Sequence, residues 1–229
     1  MKNKNLVLLY ALLCIIEIAT EYFQTDMLRY IVKPTLMIML AFYFYLESKP
    51  DISSFAKKIL AALVFSWGGD VFLMFQGYFL PGLISFLIAH VFYILAFTEN
   101  VHRASERRST MNIILLALPF LFFSTVLFSF LLPNLGEMMI PVGVYTSVIT
   151  VMGISAAIRP NSVGKESYAL VLSGAVIFML SDSTIALNKF IYNGELPYAR
   201  VVIMVTYLLA QYLIVQGCLK LISSQKKKQ

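Results

Sequence analysis

The sequence predicts an all-α, polytopic membrane protein of eight transmembrane helices. Three observations predict it. Of 229 residues, 59% are hydrophobic and 13% charged, and mean hydropathy is +0.80. A globular domain carries about 25% charged residues, so a soluble chain of this make-up would leave apolar surface facing water. Apolar stretches of about 20 residues, the length that crosses a bilayer, recur along the chain with short polar connections. Lysine and arginine cluster at alternate connections, as topology signals do. Together these exclude a soluble globular domain, a disordered chain and a disulfide framework.

The first span covers Asn5–Phe23. Lys2 and Lys4 ahead of its apolar run resemble the start of a signal peptide. No small-residue cleavage site follows, and Glu17 and Glu21 interrupt the run, so the segment reads as a retained helix. The second span, Leu28–Leu46, holds Lys33 and Pro34, and the third, Lys57–Phe75, holds Gly68, Gly69 and Asp70. Phe79–Phe97 carries His90 and Tyr93; Met111–Leu132 is almost wholly apolar; Met138–Ile158 carries Tyr145. Tyr168–Phe190 carries Asp182 and Asn188, and Tyr198–Leu221 carries Tyr207 and Gln211. Eight such helices use about 160 residues, so residues 1–229 read as a single transmembrane domain.

With eight spans both tails share a side. Lys2, Lys4, Lys49, Lys57, Lys58, Arg103, Arg107, Arg108, Arg159, Lys165, Lys220 and Lys226 to Lys228 lie there, 14 in all, against 3 opposite, Arg29, Lys189 and Arg200. Lys33 lies inside a span. This imbalance predicts cytoplasmic termini. It also accounts for the net charge of +6 without nucleic acid, since the basic residues serve as topology signals and contacts for anionic lipid. Cys14 and Cys218 are too few for a cysteine zinc cluster, and both fall toward the cytoplasmic side, where no disulfide is expected. His90 and His102 cannot make a three-histidine zinc site. No metal and no other cofactor is expected.

An ionisable side chain at mid-bilayer costs about 2.5–3.5 kcal/mol on insertion scales. Such groups are kept when they face the bundle interior. Here they are Glu17, Lys33, Asp70, His90 and Asp182, accompanied by Tyr93, Tyr145, Asn188, Tyr207 and Gln211. At a rise of about 1.5 Å per residue, Glu17, Asp70 and Asp182 each fall about two-thirds of the way to the outer face. Lys33 lies about a quarter of the way in from that face, and His90 and Tyr207 near mid-depth. Helices far apart in sequence thus place polar groups in one slab, which predicts one internal pocket open toward the outer side. Glu17 with Lys33 also reads as a structural ion pair, His90 as a satisfied helix-contact residue, and Tyr93, Tyr145 and Gln211 as interhelical hydrogen bonds. Asp70 and Asp182 stand out, because each sits among small residues that leave room for a ligand: Gly68 and Gly69 beside the first, Ser181, Ser183 and Thr184 beside the second.

A faint repeat accompanies them. Asp70 and Asp182 are 112 residues apart, and the similar strings Tyr93–Ala96 and Tyr207–Ala210 are 114 apart. The spacing suggests two parallel four-helix halves that face each other through the third and seventh helices.

Two ionised carboxylates in one low-dielectric pocket repel each other, so the pair keeps one proton between them. That is a general acid beside a general base. A serine lipase is not indicated, since no Gly-x-Ser-x-Gly elbow occurs, and no nucleotide-binding Gly-x-x-x-x-Gly-Lys loop is present.

At these same residues the chain resembles the YhhN-like lysoplasmalogenase family of eight-span membrane enzymes. The matching stretches are Lys33-Pro34, FSWGGDVFLMF around Asp70, FLPGLISFLIAHVFYILAF around His90, FMLSDSTIALNKF around Asp182 and Asn188, and TYLLAQYLI with Tyr207 and Gln211. They run in order from the second helix to the eighth. The resemblance implies hydrolysis of the vinyl ether bond of lysoplasmalogens to a fatty aldehyde and glycerophosphoethanolamine or glycerophosphocholine. Asp70 and Asp182 would be catalytic, one donating a proton and the other stabilising the cation or activating water. Lys33 and His90 would serve the headgroup phosphate or tune the pair. Tyr93, Tyr145 and Tyr207 would bond the glycerol oxygens, and Glu17, Asn188 and Gln211 would complete the substrate-binding set.

The expected partners are the lysoplasmalogen substrate and membrane lipids, with no nucleic acid and no obligate protein partner. A bacterial inner membrane suits the short loops; the Lys-Lys-Lys-Gln end also reads as an endoplasmic reticulum retrieval signal. Two alternatives remain at this point: a proton-coupled small-molecule carrier with one aspartate on each half, and a lysolipid hydrolase acting on an ester or phosphodiester.

Overall fold

The computed structural model describes residues 3–50, 52–102, 109–159 and 163–226. Lys2, Arg103, Arg107, Arg108, Lys227 and Lys228, six of the fourteen basic residues assigned to one side above, lie outside the described residues. The described secondary structure is helical throughout. Eight α-helices run α1 Lys4–Phe23, α2 Asp26–Ser48, α3 Ser54–Leu73, α4 Phe79–His102, α5 Thr110–Leu131, α6 Met139–Ala157, α7 Lys165–Phe190 and α8 Ala199–Lys226. Two short 3₁₀ turns, Leu132–Asn134 and Gly136–Met138, join α5 to α6.

Local chemistry sets several ends. Ser53 caps α3 by accepting from the Ala56 amide at 3.2 Å, and Ser109 caps α5 by accepting from Asn112 at 3.3 Å, each satisfying an otherwise open amide of the first turn. Pro34 and Pro119 lie inside α2 and α5; membrane helices tolerate proline because neighbouring groups satisfy the freed carbonyl.

Seven helices are long and apolar enough to cross a membrane; α3 alone of the eight is not among them. Its apolar character is diluted by Lys57, Lys58, Ser66, Gly68, Gly69 and Asp70. The chain is a multi-pass membrane protein.

Within the bundle α3 packs on α4 and α7 on α8 most intimately, α4 also meets α6, and α1 and α2 close the ring against α8. Peripheral α5 buries only Ser124 and Leu131. Glycine permits the two tight hairpins. A Cβ on Gly69 of α3 would come within 2.4 Å of the Phe86 ring of α4. One on Gly174 of α7 would meet Ile214 at 2.7 Å and the Ala210 carbonyl at 2.8 Å on α8. Each hairpin is also tied by a serine on a backbone carbonyl: Ser85 to Phe65 at 2.7 Å and Ser181 to Ile203 at 3.1 Å.

One basic residue departs from its expected role. Arg159, read from sequence as a topology signal and lipid contact, is fully buried. Its guanidinium donates to the Ser167 carbonyl at 3.2 Å and to Ser167 Oγ at 3.0 Å and lies over the Phe97 ring at 5.7 Å. Arginine supplies five donors and a flat face for such a site, which a charge count along the sequence does not reveal.

Candidate active site

Asp70 lies near the end of α3, three residues before its last turn closes at Leu73. Small Gly69 lets α4 approach, and Asp70 is turned into the bundle, 4% exposed. Its Oδ2 accepts a hydrogen bond from Tyr207 Oη of α8 at 2.7 Å. Asp182 lies on α7, and its Oδ2 accepts from Tyr145 Oη of α6. The two carboxyl groups line one cavity of about 490 Å³, together with Lys33, Ser181, Asn188 and Tyr207. They also lie within electrostatic reach of each other.

An aromatic cluster joins α4, α7 and α8 beside the cavity. Phe178 meets Tyr207 edge-on at 5.5 Å and His90 at 4.8 Å, and Phe86 meets Tyr207 at 5.8 Å. Edge-to-face contacts of this kind are worth about 0.5–1.5 kcal/mol beyond area burial, and they fix the rings that hold the acids.

His90 is fully buried. Its Nδ1 lies 2.5 Å from the Phe86 carbonyl, which can only accept, so Nδ1 carries the hydrogen. Nε2 points toward Asp182 Oδ2 at 3.7 Å, has no hydrogen-bond partner among the described residues, and presents its lone pair there when the ring is neutral.

The other predicted residues divide. Lys33 lines the cavity and reaches both Glu17 and Asp70 electrostatically. It makes no ion pair within 4.0 Å among the described residues, so the expected Glu17–Lys33 bridge does not form as a contact. Glu17 is fully buried; Oε2 accepts from Thr20 at 3.3 Å while Oε1 has no hydrogen-bond partner among the described residues. Asn188 lines the cavity, but its Oδ1 accepts from the Leu196 amide at 3.0 Å, pinning the α7–α8 connection. Tyr93 and Gln211 do not line the cavity. Tyr93 Oη donates to Gln211 Oε1 at 2.6 Å, and Gln211 Nε2 donates to Ser66 at 3.0 Å, closing a buried network that joins α3, α4 and α8. Among the described residues no three His, Cys, Asp or Glu side chains are grouped to hold a metal ion.

Sequence reasoning missed the cavity mouth. Glu21 bridges two arginines there: its Oε1 lies 3.0 Å from Arg29 Nε and its Oε2 2.6 Å from Arg200 Nε. Arg200 also reaches Asp26 at 3.1 Å. Arg29, Lys189 and Arg200 all line the cavity, and these are the three cations the charge count assigned to the outer side. Their shared side was the signal; it was read as topology alone.

A second, smaller cavity of about 60 Å³ adjoins the first. Phe123, Leu127, Val142, Ile149 and Met179 make its apolar walls. Leu73, Phe79, Phe86, Asp182 and Ile185 line both.

The YhhN family model matches residues 28–218. Over 165 residues the chain is 38% identical to the lysoplasmalogenase TMEM86A of Bos taurus and equally to that of Homo sapiens, covering 69% of this chain and 64% of each relative. It is 31% identical over 166 residues to the lysoplasmalogenase TMEM86B of Homo sapiens, covering 72% of this chain and 65% of the relative. The chain therefore spans just under two thirds of the length of these curated relatives. No solved structure matches it.

Proposed function

The chain belongs to the YhhN family, and from that premise we propose that it is a lysoplasmalogenase, hydrolysing the vinyl ether bond of a single-chain lipid to a fatty aldehyde and a glycerophospho-alcohol. The observation that carries the reading is the cavity shared by Asp70 and Asp182, set inside a membrane bundle and adjoining an apolar slot. Relatives named lysoplasmalogenases support it.

A vinyl ether is opened by acid. Protonation of its β-carbon gives an oxocarbenium ion, water adds to the α-carbon, and the hemiacetal collapses to aldehyde and alcohol. Two carboxyl groups holding one proton supply the acid and the base that these steps need. Tyr207 and Tyr145 orient them, each by one hydrogen bond. Lys33 adds a positive charge beside Asp70.

The same reading sets the architecture. The chain forms one transmembrane domain in which all eight helices span and both termini face the cytoplasm. It lies in a bacterial inner membrane or, in a eukaryote, the endoplasmic reticulum. Polar α3 crosses because its Asp70 and Ser66 face protein rather than lipid, as intramembrane polar residues must. Helices α1–α4 and α5–α8 form two like-oriented halves, each giving one aspartate to the site.

The test is product identity. Purified protein in detergent, given alkenyl lysophosphatidylethanolamine, releases long-chain aldehyde. Free fatty acid from an acyl lysolipid with no aldehyde from the alkenyl one would overturn the bond assignment. Ion-coupled uptake into proteoliposomes with no bond broken would overturn the enzyme.

A further inference from the structure

We propose that the lipid lies across the junction of the two cavities, head in the polar one and chain in the apolar slot, and that this makes Asp182 the proton donor and Asp70 the standing carboxylate. The inference rests on the vinyl ether reading above and assigns the roles within it.

The polar cavity suits an anionic head. Four cations line it, Arg29, Lys33, Lys189 and Arg200, against three acids, Glu21, Asp70 and Asp182. With one proton held by the aspartate pair, the lining carries a net charge of +2. Glu21 holds Arg29 and Arg200 side by side through their Nε atoms, and Asp26 engages one terminal nitrogen of each, at 3.6 Å and 3.1 Å, leaving the other terminal nitrogen of each guanidinium for a phosphate, a group that arginine serves well. The slot, by contrast, is walled by leucine, phenylalanine, valine and methionine and admits the first carbons of a chain.

Among the described residues, Asp182 is the one ionisable residue that lines both cavities. The vinyl ether is the joint between chain and glycerol, so it lies at Asp182. Its β-carbon is on the chain side and its α-carbon on the head side, toward Asp70. The surroundings divide the charge in the same sense. Lys33 lies within electrostatic reach of Asp70. Asp182 instead faces the Nε2 lone pair of His90 at 3.7 Å, which an ionised carboxylate would repel; each aspartate accepts from one tyrosine on Oδ2, so His90 and Lys33 make the difference between them.

The cycle closes. Asp182 gives its proton to the β-carbon as the double-bond electrons form the new C–H bond. The Asp70 carboxylate faces the oxocarbenium carbon, and water adds there as its proton passes to Asp70. Protonated Asp70 then returns that proton to the glycerol oxygen as the C–O bond breaks, and the hemiacetal hydroxyl proton restores Asp182. One water is consumed, and both carboxyl groups end as they began.

Two measurements test this. First, aldehyde release by Asp70→Gly and Asp182→Gly is followed with and without sodium formate. Formate is an anion at neutral pH and replaces a carboxylate but not an acid. Rescue of about tenfold or more is expected for Asp70→Gly only; rescue of Asp182→Gly, or of neither, overturns the division of roles. Second, Arg29→Gln and Arg200→Gln are compared on alkenyl lysophosphatidylethanolamine and on phosphate-free alkenylglycerol. The preference for the phosphate-bearing lipid is expected to fall about tenfold, the equivalent of about 1.4 kcal/mol; an unchanged preference overturns the head placement even if the glycine variants do not fold. If the unaltered protein releases aldehyde from neither lipid, the proposed function itself fails and the inference with it.

Discussion

Tyr207 Oη lies 2.7 Å from Asp70 Oδ2, although the two residues stand 137 positions apart on α8 and α3. The bond crosses the bundle and holds one wall of the cavity to the other. Tyr207 is 4% exposed and Asp70 4%, so the contact is shielded from bulk solvent.

Tyr207→Phe keeps the ring packed against Phe86 and Phe178 and deletes only the donor. A hydrogen bond to a charged group contributes about 1.5–3 kcal/mol. The variant is expected to turn over about 10- to 100-fold more slowly. Steady-state aldehyde release checks this; an unchanged rate shows that the hydroxyl does not serve the reaction.

The α3–α4 hairpin depends on having no side chain at Gly69. A Cβ there lies 2.4 Å from Phe86, a ring that also forms the cavity wall. Overpacking of this kind costs about 1–3 kcal/mol, so Gly69→Val is expected to lower the thermal transition in detergent clearly. Gly143→Ala is the control, since its Cβ meets Phe128 at an ordinary 3.4 Å. Equal transitions for the two variants would contradict the close approach.

Tyr93 and Gln211 are bonded to each other at 2.6 Å. A double-mutant cycle of Tyr93→Phe and Gln211→Leu, read as unfolding stability, is expected to show a coupling of about 0.6–1.7 kcal/mol, the range of interhelical hydrogen bonds in membranes. Additive effects would mean that the two side chains act independently.

The helices were largely legible in the sequence. The predicted span Asn5–Phe23 differs from α1 by one residue at its start, and Met138–Ile158 differs from α6 by one residue at each end. The larger differences lie where helices outrun the apolar core, as α4 does to His102, α7 from Lys165 and α8 to Lys226. Hydropathy marks the lipid slab, whereas a helix continues into water as long as its polar side chains are solvated.

Of the candidate site, the shared pocket was legible in the sequence and the direction of each side chain was not. Rise per residue put Asp70 and Asp182 at one level, and one cavity holds both. Which way each side chain points about its helix axis leaves little trace in helices that are apolar on all sides. The repeat-like spacing aligns Tyr93 with Asp70, yet Tyr207 is the residue bonded to Asp70, and Tyr93 bonds Gln211. Arg29 and Arg200 were read as topology alone, and Glu21 only as an interruption of the first apolar run, because a charge at a helix end has an adequate explanation without a site. Only their convergence in space gives them another.

The central claim is that Asp70 and Asp182 work together in one cavity, and turnover of alkenyl lysophosphatidylethanolamine by Asp70→Asn, Asp182→Asn and the double variant tests it most directly. Loss of an acid–base group costs about 10²–10⁴-fold, and residues acting as a unit are not additive. Each single variant is therefore expected to lose at least that much aldehyde release, and the double variant little more than either. Undiminished release by either single variant would contradict the account.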